Sequence, residues 1–224
     1  MILSLMLSLA LAIAPPAPVA PAAPVLALAA GAGMDGSGGD FARRDFHGLS
    51  LVGADFANAN LRGATFAGAR LTGANFSGAD LRGVSFARAE LIGCDLRDAR
   101  LDGADFTGAR LTGCDLGDAS KLSTAQAAAI LRSCVGCDMR GSDLHGRDLR
   151  GIRLEGTDLR DSDLRGADLS RATFTGVDLT RVKLQGAKLV GTRFVGCDLR
   201  GVDLHGVDLS QTDMTGTSFR GVDL

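Results

Sequence analysis

Residues 54–83 read ADFANANLRGATFAGARLTGANFSGADLRG, and in this stretch Phe or Leu returns at every fifth position. The same step extends outward, so that 16 consecutive central positions from Phe41 to Leu116 hold Phe or Leu. A second block resumes at Met139 and keeps the step to Leu224. Because an α-helix repeats every ~3.6 residues and a strand every ~2, neither element is the organising unit. The chain must instead turn a corner every five residues.

The other positions of the five-residue unit are equally regular. The residue two before the centre is small, as at Ala54 and Ala59, and the residue two after it is Gly in 24 of the 34 units. The residues that flank the centre are polar, as Asp80 and Arg82 are beside Leu81. This pattern predicts two inward positions per unit and a corner that needs the conformational freedom of glycine.

Units such as 79–83 (ADLRG) and 167–171 (ADLSR) resemble the A-(D/N)-L-x-x motif of the pentapeptide-repeat family. The resemblance implies an all-β solenoid, a right-handed quadrilateral parallel β-helix of about eight coils, with four units per coil and the centre and small residue pointing inward. Side chains 20 residues apart would then stack at the spacing of neighbouring strands, about 4.8 Å. The predicted inner core ladders are Phe46, Phe66, Phe86 and Phe106, and, two sides away, Phe56 and Phe76.

Residues 1–30 are predicted to be a signal peptide or leader. No side chain before Asp35 is charged, and the apolar run 2–14 is too short to span a bilayer. Cleavage would leave a periplasmic or secreted protein with no membrane span in the mature chain. The leader has no Lys or Arg at its start, so an uncleaved, membrane-associated leader stays as the alternative. The Gly-rich residues 31–40 are predicted to form a flexible linker.

The repeats divide into a first block at 41–116 and a second block at 139–224, with an insertion at 117–138. Leu116 and Met139 are 23 residues apart, where a continuous array would give 20. A capping-box spacing and good helix formers predict a short helix over 124–133, with Gly136 as its stop. If the insertion replaces one coil with three residues to spare, then four cysteines share one inward column: Cys94, Cys114, Cys137 and Cys197.

Cys134 and Cys137 form a C-x-x-C pair within the insertion. After export they could close a local disulfide, and the alternative is a pair of buried free thiols. A zinc site would need two further ligands nearby, and the sequence offers neither a second C-x-x-C pair nor paired histidines.

Charge and motif content predict a protein that is not an enzyme. The net charge of −2 gives no broad basic patch, so we expect no direct nucleic-acid binding. No nucleophile–base pair is spaced for catalysis, and we expect no catalytic residues, no cofactor and no metal site. Asp138, Asp158, Asp178 and Asp198 would stack in one column, but arginines two residues along the same side would neutralise it: Arg140, Arg160 and Arg200.

The preferred hypothesis is a non-catalytic exported scaffold that mediates protein–protein interaction or self-association, with an unknown protein partner. The predicted contact residues are Ala125, Ile130 and Leu131 in the insertion and Leu224 in the last coil, where a C-terminal homodimer is expected. The family resemblance implies one alternative, a DNA mimic that binds DNA gyrase and modulates this topoisomerase. A duplex carries one negative charge per about 1.7 Å, far more than this chain shows. Another alternative is a membrane-tethered adaptor, which follows if the leader is retained.

Overall fold

The computed structural model describes residues 33–117 and 129–222. Seven short strands lie in this part of the chain and form one parallel sheet in the order β1 to β7. The strands are β1 (Arg70–Thr72), β2 (Glu90–Ile92), β3 (Arg110–Thr112), β4 (Cys134–Val135), β5 (Arg153–Glu155), β6 (Thr173–Thr175) and β7 (Arg193–Val195).

The strands pair with a step of 20 residues, as Leu71 with Leu91 and Leu91 with Leu111. Isolated bridges on the other three sides have the same step, as between Asp55 and Asn75, Asn60 and Asp80, and Thr65 and Ser85. The seven strands therefore mark six turns of a four-sided tube, and the bridges Ser50–Arg70 and Arg193–Asp213 extend it by a turn at each end. The predicted parallel β-solenoid is confirmed.

Tight turns form most corners of the tube. The backbone N–H of Ala69 donates to the carbonyl of Phe66 at 2.9 Å, and Gly68 between them has φ of 65°. A positive φ at this position is the requirement of a type II turn, and glycine meets it without steric cost. Where glycine is missing, another residue takes the same conformation, as Asn58 does at φ 57° and Arg88 at φ 57°.

Within the described residues, all seven strands lie on one side of the tube, and the sequence explains which. The residue after the centre on this side is β-branched in most turns, and such residues favour extended backbone. They form an outward row: Val52, Thr72, Ile92, Thr112, Val135, Thr175, Val195 and Thr215. Among the described residues, the corners after all seven strands lack the turn hydrogen bond that closes the corners on the other sides.

Phenylalanine rings fill the first block of the tube in two stacked ladders. The rings of Phe46 and Phe66 lie 4.6 Å apart at 4°, and those of Phe66 and Phe86 lie 5.4 Å apart at 14°. Phe56 and Phe76 stack at 5.4 Å opposite them, and the two ladders meet edge to face at 5.5–5.7 Å. These offset and edge contacts are the favoured arrangements of aromatic rings, and the rings of both ladders are buried.

The predicted linker over 31–40 is wrong for its described part, because residues 33–40 already belong to the first turn. Asp35 bridges to Asp55 and Asp40 to Asn60, and Met34 is buried. Gly36 occupies a central position without a side chain. A Cβ there would lie 2.9 Å from the ring of Phe41, so this ring fills the space that a central Phe or Leu would take.

The insertion keeps the register of the sheet. Leu111 pairs with Cys134 and Asp115 bridges to Asp138, so this turn takes 23 residues and the next again takes 20. Residues 129–131 are helical, whereas 118–128, with most of the predicted helix, lie outside the described residues. The helix ends before 133 because β4 begins at Cys134. Gly136, predicted as the helix stop, instead lies at a corner of the tube with φ of 65°.

In the ranges 33–117 and 129–222, no helix has the length and apolar character that crossing a membrane requires. The predicted leader lies outside these ranges.

Candidate functional site

Aspartates before the central residue fix the corners of the tube. The carboxylate of Asp45 accepts the backbone N–H of His47 at 2.8 Å, and Asp143 accepts that of His145 at 3.0 Å. Asn75 does the same for Ser77 at 3.0 Å. Such contacts stabilise a turn locally, so an Asp or Asn at this position has a structural reason to recur.

Many of these aspartates also form an ion pair with an arginine two residues later. Arg150 donates from Nε and Nη2 to the two carboxylate oxygens of Asp148 at 2.8 and 2.7 Å. These bonds hold the pKa of Asp148 down, to about 2. The same pairing occurs in six further units: Asp80–Arg82, Asp95–Arg97, Asp138–Arg140, Asp158–Arg160, Asp163–Arg165 and Asp198–Arg200.

One side of the tube carries an unbroken column of six aspartates, which runs from Asp95 to Asp198 with one residue per turn. Arginines connect successive turns, since Arg97 Nε lies 3.3 Å from Asp115 and Arg160 Nε lies 3.5 Å from Asp178. Asp115 has Gly117 where its neighbours have arginine, and partial burial raises the pKa of its carboxyl, with a further contribution from Asp138. The column is therefore a ladder of partly exposed ion pairs, each of which stabilises the fold little.

Hydroxyl and thiol groups at the small inward position donate to backbone carbonyls of the preceding turn. Thr192 Oγ1 lies 2.8 Å from the carbonyl oxygen of Leu169, and Cys114 Sγ lies 3.3 Å from that of Leu91. Cys94 and Cys197 make the same kind of contact to Leu71 and Phe174. The sequence predicted the shared inward column of these cysteines but not this bond. The acceptors for the three cysteines lie at corners that lack the turn hydrogen bond, so the thiols satisfy carbonyls there.

The register of the tube places Cys134 and Cys137 next to each other. Cys137 shares the inward column of Cys94, Cys114 and Cys197, as predicted from the three extra residues, and Cys134 takes a central position that the search for Phe and Leu overlooked. Both thiols are buried and free in the structure. The hydrogen bond with Cys137, together with burial, raises the pKa of Cys134. The disulfide stays a prediction. Over the described residues, no three His, Cys, Asp or Glu side chains are arranged to hold a metal ion.

The partner-contact prediction for the insertion needs a correction. Ile130 and Leu131 are both 0% exposed and belong to the core, because the short helix turns its apolar side into the tube where a central residue would otherwise lie. They are not available to a partner. Ala125 and Leu224 lie outside the described residues.

Apolar side chains become exposed toward the last turn of the tube. Leu199 and Leu204 are buried, Leu209 and Met214 are partly buried, and Phe219 is 42% exposed. No further turn covers these side chains within the described residues, so the last turn presents an apolar end surface, defined here as Leu209, Met214, Phe219 and Val222.

A cavity of about 650 Å³ opens beside the insertion. Its lining combines arginines, aspartates and one exposed valine: Arg132, Asp148, Arg150, Gly151, Asp168, Ser170, Arg171 and Val190. We call it the Arg171 cavity. Sequence reasoning did not find it, because its residues come from three turns and the end of the insertion.

Comparison with known proteins agrees with this geometry. A family model described as "Pentapeptide repeats" matches in eight copies over residues 40–78, 50–87, 79–118, 137–176 and 178–216. The segment between 118 and 137, left unmatched, falls within the insertion. No curated protein sequence matches the chain.

Three solved structures illustrate what the chain is similar to. HetL, a pentapeptide repeat protein involved in heterocyst differentiation regulation from the cyanobacterium Nostoc sp. strain PCC 7120, is 26% identical, with coverage of 86% of this chain and 84% of that one and a TM-score of 0.40. QnrB1, a plasmid-mediated fluoroquinolone resistance protein, is 19% identical, with coverage of 86% and 90% and a TM-score of 0.30. Rfr23 from the cyanobacterium Cyanothece 51142 is 18% identical, with coverage of 72% and 88% and a TM-score of 0.25. The family model matches most of the chain and the four-sided solenoid carries its repeats, so the chain belongs to the pentapeptide-repeat family.

Proposed function

We propose that this pentapeptide-repeat protein is a non-catalytic, exported scaffold that binds other proteins, including a second copy of itself. The observation that carries the proposal is the apolar end surface, where Phe219 is 42% exposed and Met214 only partly buried. Uncovered apolar side chains and unpaired backbone groups at the end of a solenoid favour association. On the sides of the tube, in contrast, seven Asp–Arg pairs engage charged side chains with one another.

Self-association is tested by substituting the most exposed ring of the end surface. We expect the full chain to sediment as a dimer in analytical ultracentrifugation and Phe219→Asp to sediment as a monomer, because a carboxylate at the interface would be desolvated without a partner. Val52→Asp, an exposed apolar residue near the other end, is the matched control and should leave the dimer intact. A wild-type chain that is monomeric at all concentrations contradicts the self-association part of the proposal.

Binding to DNA gyrase as a DNA mimic is the second candidate. The column of six aspartates at one per turn favours it, since regular negative charges along a rod resemble a phosphate backbone. Four of the six aspartates pair with the arginine two residues on, and Arg97 and Arg160 also reach Asp115 and Asp178. We therefore place this candidate second. A gyrase supercoiling assay separates the two, because a scaffold leaves supercoiling unchanged whereas a mimic inhibits or modulates it.

Export and membrane tethering are distinguished by fractionation of the producing cells. The apolar run at 2–14 and the small residues at Ala27 and Ala29 support cleavage and export. A chain shortened by about thirty residues in the periplasm or medium is the expected result for the 15–30-residue leader and its cleavage site. Full-length protein in the membrane fraction would instead support the tethered adaptor.

A further inference from the structure

We propose that the Arg171 cavity binds an acidic segment of a partner protein, with a carboxylate placed between the arginines and a neighbouring apolar side chain placed against Val190. This inference rests on the proposed scaffold function and names the chemistry of one binding surface. The cavity lies beside the insertion, at the point where the regular repeats are interrupted, and Arg132 joins it from the end of that insertion.

The charged side chains that line the cavity carry one more positive than negative charge. Three arginines face two aspartates, and both aspartates already have donors. Asp148 accepts the bonds of Arg150, and Asp168 accepts the backbone N–H of Ser170 at 3.1 Å. Arg171 forms no ion pair with any carboxylate of the described residues, and Arg132 helps to lower the pKa of Asp148 without forming an ion pair with it. A guanidinium without an internal partner is suited to bind a carboxylate from outside.

The backbone at this corner leaves room for the ligand. Gly151 lies in the cavity lining, and a Cβ placed on it would meet no atom within 4 Å. Arg171 takes the corner position usually held by glycine, with φ of 60°. Its Cγ lies 3.6 Å from the point that a Cβ added to Gly191 would occupy. The aliphatic part of Arg171 thus covers the next corner, while the corner at Gly151 stays open.

An apolar contact lies at the rim of the same cavity. Val190 is 52% exposed, the largest exposed fraction among the large apolar side chains of the described residues. An exposed apolar side chain beside arginines matches a protein segment that carries an acidic and an apolar side chain. A simple anion would make no use of the apolar contact. The occupant we infer is therefore an acidic peptide with an adjacent apolar residue.

Arginine side-chain NMR of the full chain tests the proposal. The probe is N-acetyl-Leu-Glu-amide, and N-acetyl-Leu-Gln-amide is the uncharged match. We expect the glutamate peptide to shift the Nε–Hε signals of Arg132 and Arg171 in a saturable way and the glutamine peptide to shift them several-fold less. Arg171→Gln and Val190→Ser should each weaken binding of the glutamate peptide several-fold. Arg165→Gln, which removes an arginine paired with Asp163, should not.

Three outcomes would overturn the proposal. They are equal shifts with the two peptides, shifts of Arg165 as large as those of Arg171, and sodium acetate that binds as tightly as the peptide. Any of these would leave the scaffold function standing if Phe219→Asp still abolishes dimerisation. Conversely, a monomeric wild-type chain with an intact peptide response would remove self-association and keep the acidic-peptide site.

Discussion

Leu111 and Cys134 are neighbours in the parallel sheet although 23 residues separate them. One turn later Val135 pairs with Glu155 at the usual step of 20. The additional three residues are therefore accommodated within this one turn, and no side chain beyond them changes from an inward to an outward position. Backbone pairing between turns, and not uniform chain length, holds the register.

The stacked ring of Phe66 is expected to be a major source of stability. Phe66→Ala would remove a fully buried ring between Phe46 and Phe86 and should lower the free energy of unfolding by about 3–5 kcal/mol. Phe219→Ala, at a ring that is 42% exposed in the single chain, is the control and should have a much smaller effect when unfolding is measured at protein concentrations too low for dimerisation. Urea denaturation followed by circular dichroism gives both values. Equal effects of the two substitutions would contradict the internal ladder.

The positive φ at the corners predicts the relative stability cost of two substitutions at Gly83. This residue has φ of 67°, and a Cβ at this position would meet open space, so only backbone strain opposes a side chain. Gly83→Ala should cost about 1–2 kcal/mol, the usual penalty of a left-handed residue. Gly83→Asn should cost less, because asparagine tolerates this conformation and Asn58 adopts it at an equivalent corner. Thermal unfolding of the three proteins measures the order, and a milder effect of alanine than of asparagine would refute it.

The Asp–Arg pairs predict a loss of stability in acid. The folded-state pKa of Asp148 is about 2, below its ordinary value of 3.8. A depressed carboxyl pKa stabilises the fold above the ordinary value, and this contribution disappears as the pH falls from about 4 toward 2. In Arg150→Gln, carbon-detected NMR titration of Asp148 should show a pKa that moves back toward 3.8. Arg62→Gln removes the same charge on another side and should leave Asp148 unchanged.

Asp115 is expected to have the opposite effect on the pH dependence of stability. Its pKa is raised by partial burial and by Asp138, so the charged form opposes folding and protonation favours it. Asp115→Asn should raise the midpoint of thermal unfolding at neutral pH, and the gain should vanish in acid, where the wild-type carboxyl is neutral. The amide keeps an acceptor for the N–H of Gly117, as Asn75 does for Ser77 in the same column. A lower midpoint at neutral pH would show that the contact with Arg97 dominates.

The burial of all five cysteines predicts slow alkylation of the native protein. After unfolding without reductant, iodoacetamide should add to all five thiols, as mass spectrometry would show. Three adducts without reductant and five with it would instead establish the Cys134–Cys137 disulfide.

The period of five is sufficient to predict the tube, because the same two positions face inward in every unit. It is insufficient where the inward position is filled from elsewhere. Gly36 has no side chain, and the ring that fills its place belongs to Phe41, so the repeat pattern assigns the first turn to a linker. The pattern also assigns Ile130 and Leu131 to a partner, because it does not indicate which side of an inserted helix faces the core. The Arg171 cavity depends on side chains brought together only by stacking of turns.

Because backbone pairing between turns fixes the register, it also determines which insertions the tube can accept. Duplication of any 20 consecutive residues within a block would return each side chain to its own column, with a ring above a ring and a carboxylate above a carboxylate. A gain of five residues before Phe66 would move this ring and every later side chain to the next side of the tube. Genetic change in this protein is thus expected to be tolerated in whole coils, and the 23-residue coil shows that three extra residues within one coil are the other permitted departure.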